Sequence, residues 1–178
     1  MKMKKLLVGL LAVTMAFSVV GCGAKQDNVA QEQQEQVAGT TEAEINDDMG
    51  KGMISQFKEL IAADENISTE AIGAALCGNP MFEMKMDALA VEPGLLNGFG
   101  NAEIKGFKEG TMFAPMIGSI PFVGYVFKVD EGTNVSEFIN ELKENADLRW
   151  NICTEADQML VTAVDQTVLF AMYSTSEE

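Results

Sequence analysis

Every aromatic side chain except Phe17 lies after residue 50 of this 178-residue chain. Large rings supply much of the area a small core buries, so a packed domain can form only there. Residues 51–178 hold nine Phe, Trp150, Tyr125 and Tyr173. That is enough for one ordinary domain without help from a metal or many disulfides. The stretch from Gly23 to Gly50 is the opposite, with five Gln, seven Asp/Glu, a single Lys and no aromatic residue. It cannot bury enough apolar surface to offset its ordering entropy. Together with Cys22 it is predicted to be a disordered acidic, Gln-rich stalk over 22–50, with a root-mean-square reach of about 30 Å at roughly 5–6 Å times the square root of length.

Ahead of it, Met1 to Lys5 carry three lysines and Leu6 to Val20 form a 15-residue run without a charge. The run is short for a membrane span, which takes about 20 apolar residues, and fits the core of a signal peptide. It ends in Val19-Val20-Gly21-Cys22, which resembles the lipobox of bacterial lipoproteins. The resemblance covers 22 residues. It implies a signal peptide over 1–21, cleavage between Gly21 and Cys22, and a diacylglycerol on the Cys22 thiol, with a further acyl group such as palmitate on the new amino terminus. Two or more acyl chains hold a protein stably where one does not. The expected location is the extracytoplasmic face of the cell membrane, reached through this anchor.

Composition then removes whole classes of function. There is no histidine, which excludes Ser-His-Asp and Cys-His catalysis, imidazole metal ligands and histidine pH switches. The formal net charge of −15, of which −12 falls in 51–178, argues against nucleic acid, whose phosphates require Lys and Arg. The same acidity is repelled by an anionic bilayer, leaving attachment to the lipid.

Patterning within 51–178 points to an α+β domain. Met53, Ile54, Phe57, Leu60 and Ile61 follow one helix face, and a second helix is expected over Thr69–Cys77, stopped by Gly78-Asn79-Pro80, giving a helical hairpin. Glu83–Val91 reads as a strand, Leu95–Gly118 resists assignment beyond Ile104 and Phe107, and Pro121–Val129 reads as a central strand. Asn134 followed by Glu137 marks the start of a capped helix whose buried face is Val135, Phe138, Ile139 and Leu142. Met159–Val164 and Thr167–Tyr173 flank Asp165-Gln166 as a closing β-hairpin. The expected architecture is an antiparallel sheet with the N-terminal hairpin, one packed capped helix and that C-terminal hairpin. This order of elements, joined to the lipobox and stalk, resembles small uncharacterised lipoproteins of Gram-positive anaerobes, a resemblance that implies no activity.

Few constellations carry chemistry. Met81, Met84 and Met86, with Met112 and Met116, offer thioethers suited to Cu(I), while methionines at strand spacing also fill irregular core space. Cys77 and Cys153 can pair as a disulfide outside the cytoplasm or remain buried thiols. Asp64-Glu65-Asn66 and Asp130–Asn134 lack the calcium-loop ligand pattern, and the glycines form no phosphate cradle. Asp87 and Glu92 have no paired carboxylate that would suggest a hydrolase. Met112–Val126 is apolar for a segment with Gly and Pro, as a buried strand or an exposed groove would be. The resulting expectation is a non-catalytic binding or interaction domain without a resident cofactor. Its partner would be an envelope protein, a peptide or a small ligand, and the alternative is Cu(I) binding through the methionines.

The anchor has a direct check. Cys22→Ser should abolish metabolic labelling with radioactive palmitate and leave the protein released or misprocessed, and undiminished labelling would refute the lipobox.

Overall fold

The computed structural model describes residues 45–175. Helices α1 (Asp48–Ala63) and α2 (Thr69–Cys77) lead into β1 (Met86–Val91), β2 (Gly94–Leu95), β3 (Glu103–Ile104), β4 (Phe107–Pro115) and β5 (Val123–Val129). Helix α3 (Val135–Asn145) follows, and β6 (Gln158–Val164) and β7 (Thr167–Tyr173) close the chain. Five strands form one fully antiparallel sheet in the order β1-β4-β5-β7-β6, and β2 and β3 pair separately. The α+β class, the helical hairpin, the capped helix and the terminal hairpin are all present.

Side chains alternate across a strand, and here both faces are covered. From β5, Val123, Tyr125, Phe127 and Val129 enter one core, joined by Val168, Phe170 and Met172 of β7 and by Phe138, Ile139 and Leu142 of α3. Val126, Leu169, Ala171 and Tyr173 enter the other, against Met53, Phe57 and Ile61 of α1 and Ile72 and Leu76 of α2. Two layers of helix on one sheet explain why β5 and β7 read as continuous apolar runs instead of alternating ones.

Strand β4 switches its pattern at a β-bulge. Phe107 opposes Val129 and Glu109 opposes Lys128, leaving Lys108 as the extra residue. Phe107 therefore points into the α3-side core while Glu109, two positions on, points to the α2 side. Its Oε1 accepts from the backbone N of Thr69 at 2.8 Å and from Thr69 Oγ1 at 3.1 Å. A carboxylate at a helix N-terminus satisfies a free donor and favours the helix dipole. Thr69 Oγ1 also shares a hydrogen bond of 2.9 Å with Thr111 Oγ1, so this buried polar contact is closed.

Several boundaries differ from the sequence reading, among them β5, which starts at Val123 instead of Pro121, and β6, which starts one residue early at Gln158. The ordered chain begins before residue 51: Ile45 is buried, Asp47 caps α1, and the helix starts at Asp48, so the stalk expected through residue 50 is corrected at 45–50. The cause is the Asp47 side chain, a feature that composition over a 28-residue window conceals. The first strand starts at Met86 instead of Glu83, and the unassigned segment contains β2, β3 and the nine-residue β4.

Asp47 does double duty. Its Oδ1 accepts from Gly50 N at 2.6 Å and its Oδ2 from the hydroxyl of Tyr173 at 2.9 Å, tying the start of the domain to its last strand across 126 residues of chain. Gly50 is required beside them, since a Cβ there would lie 2.4 Å from both Ile45 Cγ2 and the Tyr173 hydroxyl. Asp47→Ala should cost about 2 kcal/mol and Tyr173→Phe about 1 kcal/mol, measured as urea unfolding. The double variant should lose less than the sum because the two share one bond.

Candidate functional site

At the end of the sheet where Tyr173 meets Asp47, a groove of about 890 Å³ opens. Met49, from the first turn of α1, and Met84, from the connection between α2 and β1, contribute to its lining. The β4–β5 connection supplies Ser119, Ile120, Pro121 and Phe122. The α3–β6 connection supplies Leu148 and Cys153–Asp157, and the end of β7 supplies Tyr173 and Ser174.

The walls are held by local hydrogen bonds. Asn151 donates its Nδ2 to Gly118 O at 2.8 Å and Thr154 its Oγ1 to Ser119 O at 3.2 Å, clasping the two connections together. Asp157 N donates to Tyr173 O at 3.1 Å, and the Asp157 carboxylate accepts from Thr175 N at 2.9 Å. Beneath them the Phe122 ring meets Phe82 edge-on at 5.3 Å and lies 5.6 Å from Phe113, so this side of the groove rests on rings within the α1/α2-side core. The Tyr173 hydroxyl is held protonated well beyond the usual tyrosine range, first by burial and then by its bond to Asp47 and the nearby charges of Asp47 and Asp157.

Lined this way, the groove offers apolar surface with two carboxylates, Glu155 and Asp157, and no Lys or Arg. Arg149 lies 3.6 Å from Glu155 in an exposed pair, of the sort that contributes little. Among the described residues no group of three or more Cys, Asp and Glu could hold a metal ion. A second concavity of about 630 Å³ lies between the β6–β7 turn and the start of α3. It is poorly suited to an anion, because Asn134 Oδ1 already accepts from Ser136 N and Glu137 N, and Asp165 adds negative charge.

Gly21 and Cys22 lie outside the described residues. The two remaining cysteines are free, which corrects the disulfide option: Cys77 is half-buried at the end of α2 beside the α1/α2-side core, and Cys153 is exposed in the groove wall. Burial, then the charge of Asp87, pushes the Cys77 thiol up to about 11, the reverse of what a nucleophile needs. The methionines Met81, Met84 and Met86 all pack against the α1/α2-side core. Met81 lies against Gly52 of α1, Met86 begins β1, and Met84 alone of the three lines the groove. Asp64 and Asn66 form a helix-end turn in which Asp64 Oδ1 accepts from Asn66 N, and Asp130–Asn134 form the turn into α3.

The signal for the groove was the apolar segment Met112–Val126. Its first part is β4, buried as a strand, and its middle supplies the groove residues Ser119–Phe122. Met49 and Cys153–Asp157 had no pattern pointing to them. Comparison of the chain with protein-family models, with curated proteins and with solved structures finds no match.

The two thiols differ enough to test. At pH 8 a maleimide should modify Cys153 at least tenfold faster than Cys77, and Cys77 reactivity should climb towards pH 11 as its thiolate forms. Comparable rates at pH 8, read by peptide mass mapping, would contradict the burial described.

Proposed function

We propose that this chain is a lipid-anchored extracytoplasmic binding protein, non-catalytic, whose groove takes a ligand with an apolar body and a cationic end. The observation that supports this is the lining: methionine, isoleucine, leucine and aromatic surface beside Glu155 and Asp157, with no basic residue. Clefts that are mostly apolar with a few placed polar groups are the usual form of ligand sites. Electrostatic complementarity then favours a cation and selects against acidic partners. Ser174 Oγ reaches Asp157 Oδ2 only at 3.5 Å, the Tyr173 hydroxyl is held protonated, and with no histidine in the chain a binding role accounts for the arrangement better than catalysis does.

One observation favours a second reading. Met49, Met84 and Cys153 all line the groove, and two thioethers with a thiolate form a donor set that Cu(I) prefers.

Native mass spectrometry of the full chain purified from its host membrane distinguishes these readings. It is paired with a fluorophore on Cys153 titrated with a Leu/Lys peptide and with its Leu/Glu counterpart. A bound organic cation, or a fluorescence response to the Leu/Lys peptide alone, is the expected outcome. A copper adduct lost in Met84→Leu selects the second reading. Equal response to both peptides, or none, with no adduct, refutes a ligand-binding groove.

A further inference from the structure

Strand β1 is an edge of the sheet, and among the described residues nothing pairs with its outer side. Its backbone orientation can be read from two contacts. Lys85 O accepts from Met116 N on the β4 side, and Ala88 N turns outward, where the Asp87 carboxylate takes it at 2.9 Å. Met86, Ala88 and Ala90 therefore present their N–H and C=O groups to the outside. The β1–β4 ladder runs from Met86↔Pro115 to Val91↔Gly110 without a break in register. Of the devices that normally stop an edge from pairing with another chain, the strand Met-Asp-Ala-Leu-Ala-Val contains no Lys, Pro or bulge and a single charge, Asp87.

The exposed apolar residues gather at this same edge. Large hydrophobics exposed in the described chain are Leu89 (54%), Leu95 (67%), Met116 (67%), Ile117 (65%) and Ile152. Leu89 lies on β1 itself. Leu95 stands just past its C-terminal end, and Met116 and Ile117 continue β4 beyond the residue opposite Met86, at the N-terminal end of β1. Leu89 is thus on the edge itself, and the other three follow the ends of β1 and of its neighbour β4.

We infer that β1 pairs with β1 of a second copy, antiparallel about a two-fold axis at Leu89, joining two sheets into one of ten strands. The sequence of the edge is what selects a second copy. An antiparallel two-fold contact sets the start of one β1 beside the end of the other, which brings Leu95 of one copy to the same end of the seam as Met116 and Ile117 of the other, two strand spacings away at about 10 Å. The outward groups of Ala88 meet those of Ala90 across the axis, Leu89 faces Leu89, and Asp87 faces Val91, so no like charges stand directly opposite. Lys85 falls opposite Pro93, one position from Glu92 of the other copy. The bond from Ala88 N to its neighbour Asp87 is exchanged for one to the second strand. The seam shares the β4–β5 connection with the groove, through Met116 and Ile117, but uses none of the residues that line it.

Directly opposed residues in a non-hydrogen-bonded antiparallel pair have Cβ atoms about 4.5–5.5 Å apart, near the reach of a disulfide. The test is therefore Leu89→Cys in the full-length protein in its host membrane, with Cys77→Ser and Cys153→Ser, followed by mild oxidation and a non-reducing gel. Expected is a dimer band at least tenfold stronger than for Glu144→Cys on exposed α3 or for the background alone. Adding Ala88→Pro, which removes an outward N–H and no bond to β4, should reduce that band at least tenfold. A mixture of Leu95→Cys and Ile117→Cys chains, with the edge itself unaltered, should cross-link to each other through a bis-maleimide whose spacer spans about 10 Å, two strand spacings. Absence of the Leu89 dimer, or equal cross-linking through Glu144, overturns the pairing. So does a wild-type monomer by sedimentation after detergent extraction. Cross-linking to a different protein at Leu89 instead of to a second copy would assign the edge to an added peptide strand and overturn it as well.

Discussion

Everything in this fold answers to the double burial of β5 and β7. With helices on one face and α3 and the β2–β3 loop region on the other, no position on either strand except Lys128 is more than marginally exposed. A one-residue slip would exchange the two cores side chain for side chain, setting Tyr125, Phe127 and Phe170 against α1 and α2 in place of smaller Val126, Leu169 and Ala171. The register is therefore held by volume as well as by hydrogen bonds. The bulge at Lys108 is how β4 fits such a sheet while still turning a carboxylate to α2.

Elements whose signals are local were legible in the sequence. The end of α2 follows from Gly78 and the start of α3 from Asn134, both read from cap chemistry. The closing hairpin was legible from its two apolar runs, although Asp165 must adopt a φ of 51°, which an Asp tolerates better than most residues. β4 was not legible, because its glycine, bulge and inward Glu109 break the period that defines a strand, and its buried polar contacts appear only once α2 is in place. The start of the domain was hidden for the same reason: Asp47 counts as one more acid in an acidic stretch until Tyr173 lies beside it.

The site divides in the same way. The apolar β4–β5 connection announced itself by composition. The other wall comes from residues 148–157, which are ordinary in sequence and become a wall through Asn151 and Thr154 donating to the opposite connection. Methionine spacing suggested a cluster, and Met81, Met84 and Met86, running from a turn into a strand, all pack on the α1/α2-side core while only Met84 of them reaches the groove. Spacing along a chain defines proximity only within one regular element.

Strand order also bears on the timing of folding. β7 is the last in order of the described strands, yet it sits between β5 and β6 and carries the tyrosine that secures Asp47. Until residues 167–173 are free, β5 lacks one neighbour, β6 has none within the sheet, and each core lacks three of its buried side chains. A chain passed through a narrow opening with its amino end leading cannot complete either core before its final residues emerge. Dominance by such distant pairings makes for slow folding, and on the proposed extracytoplasmic route that delay would keep the chain threadable during transport.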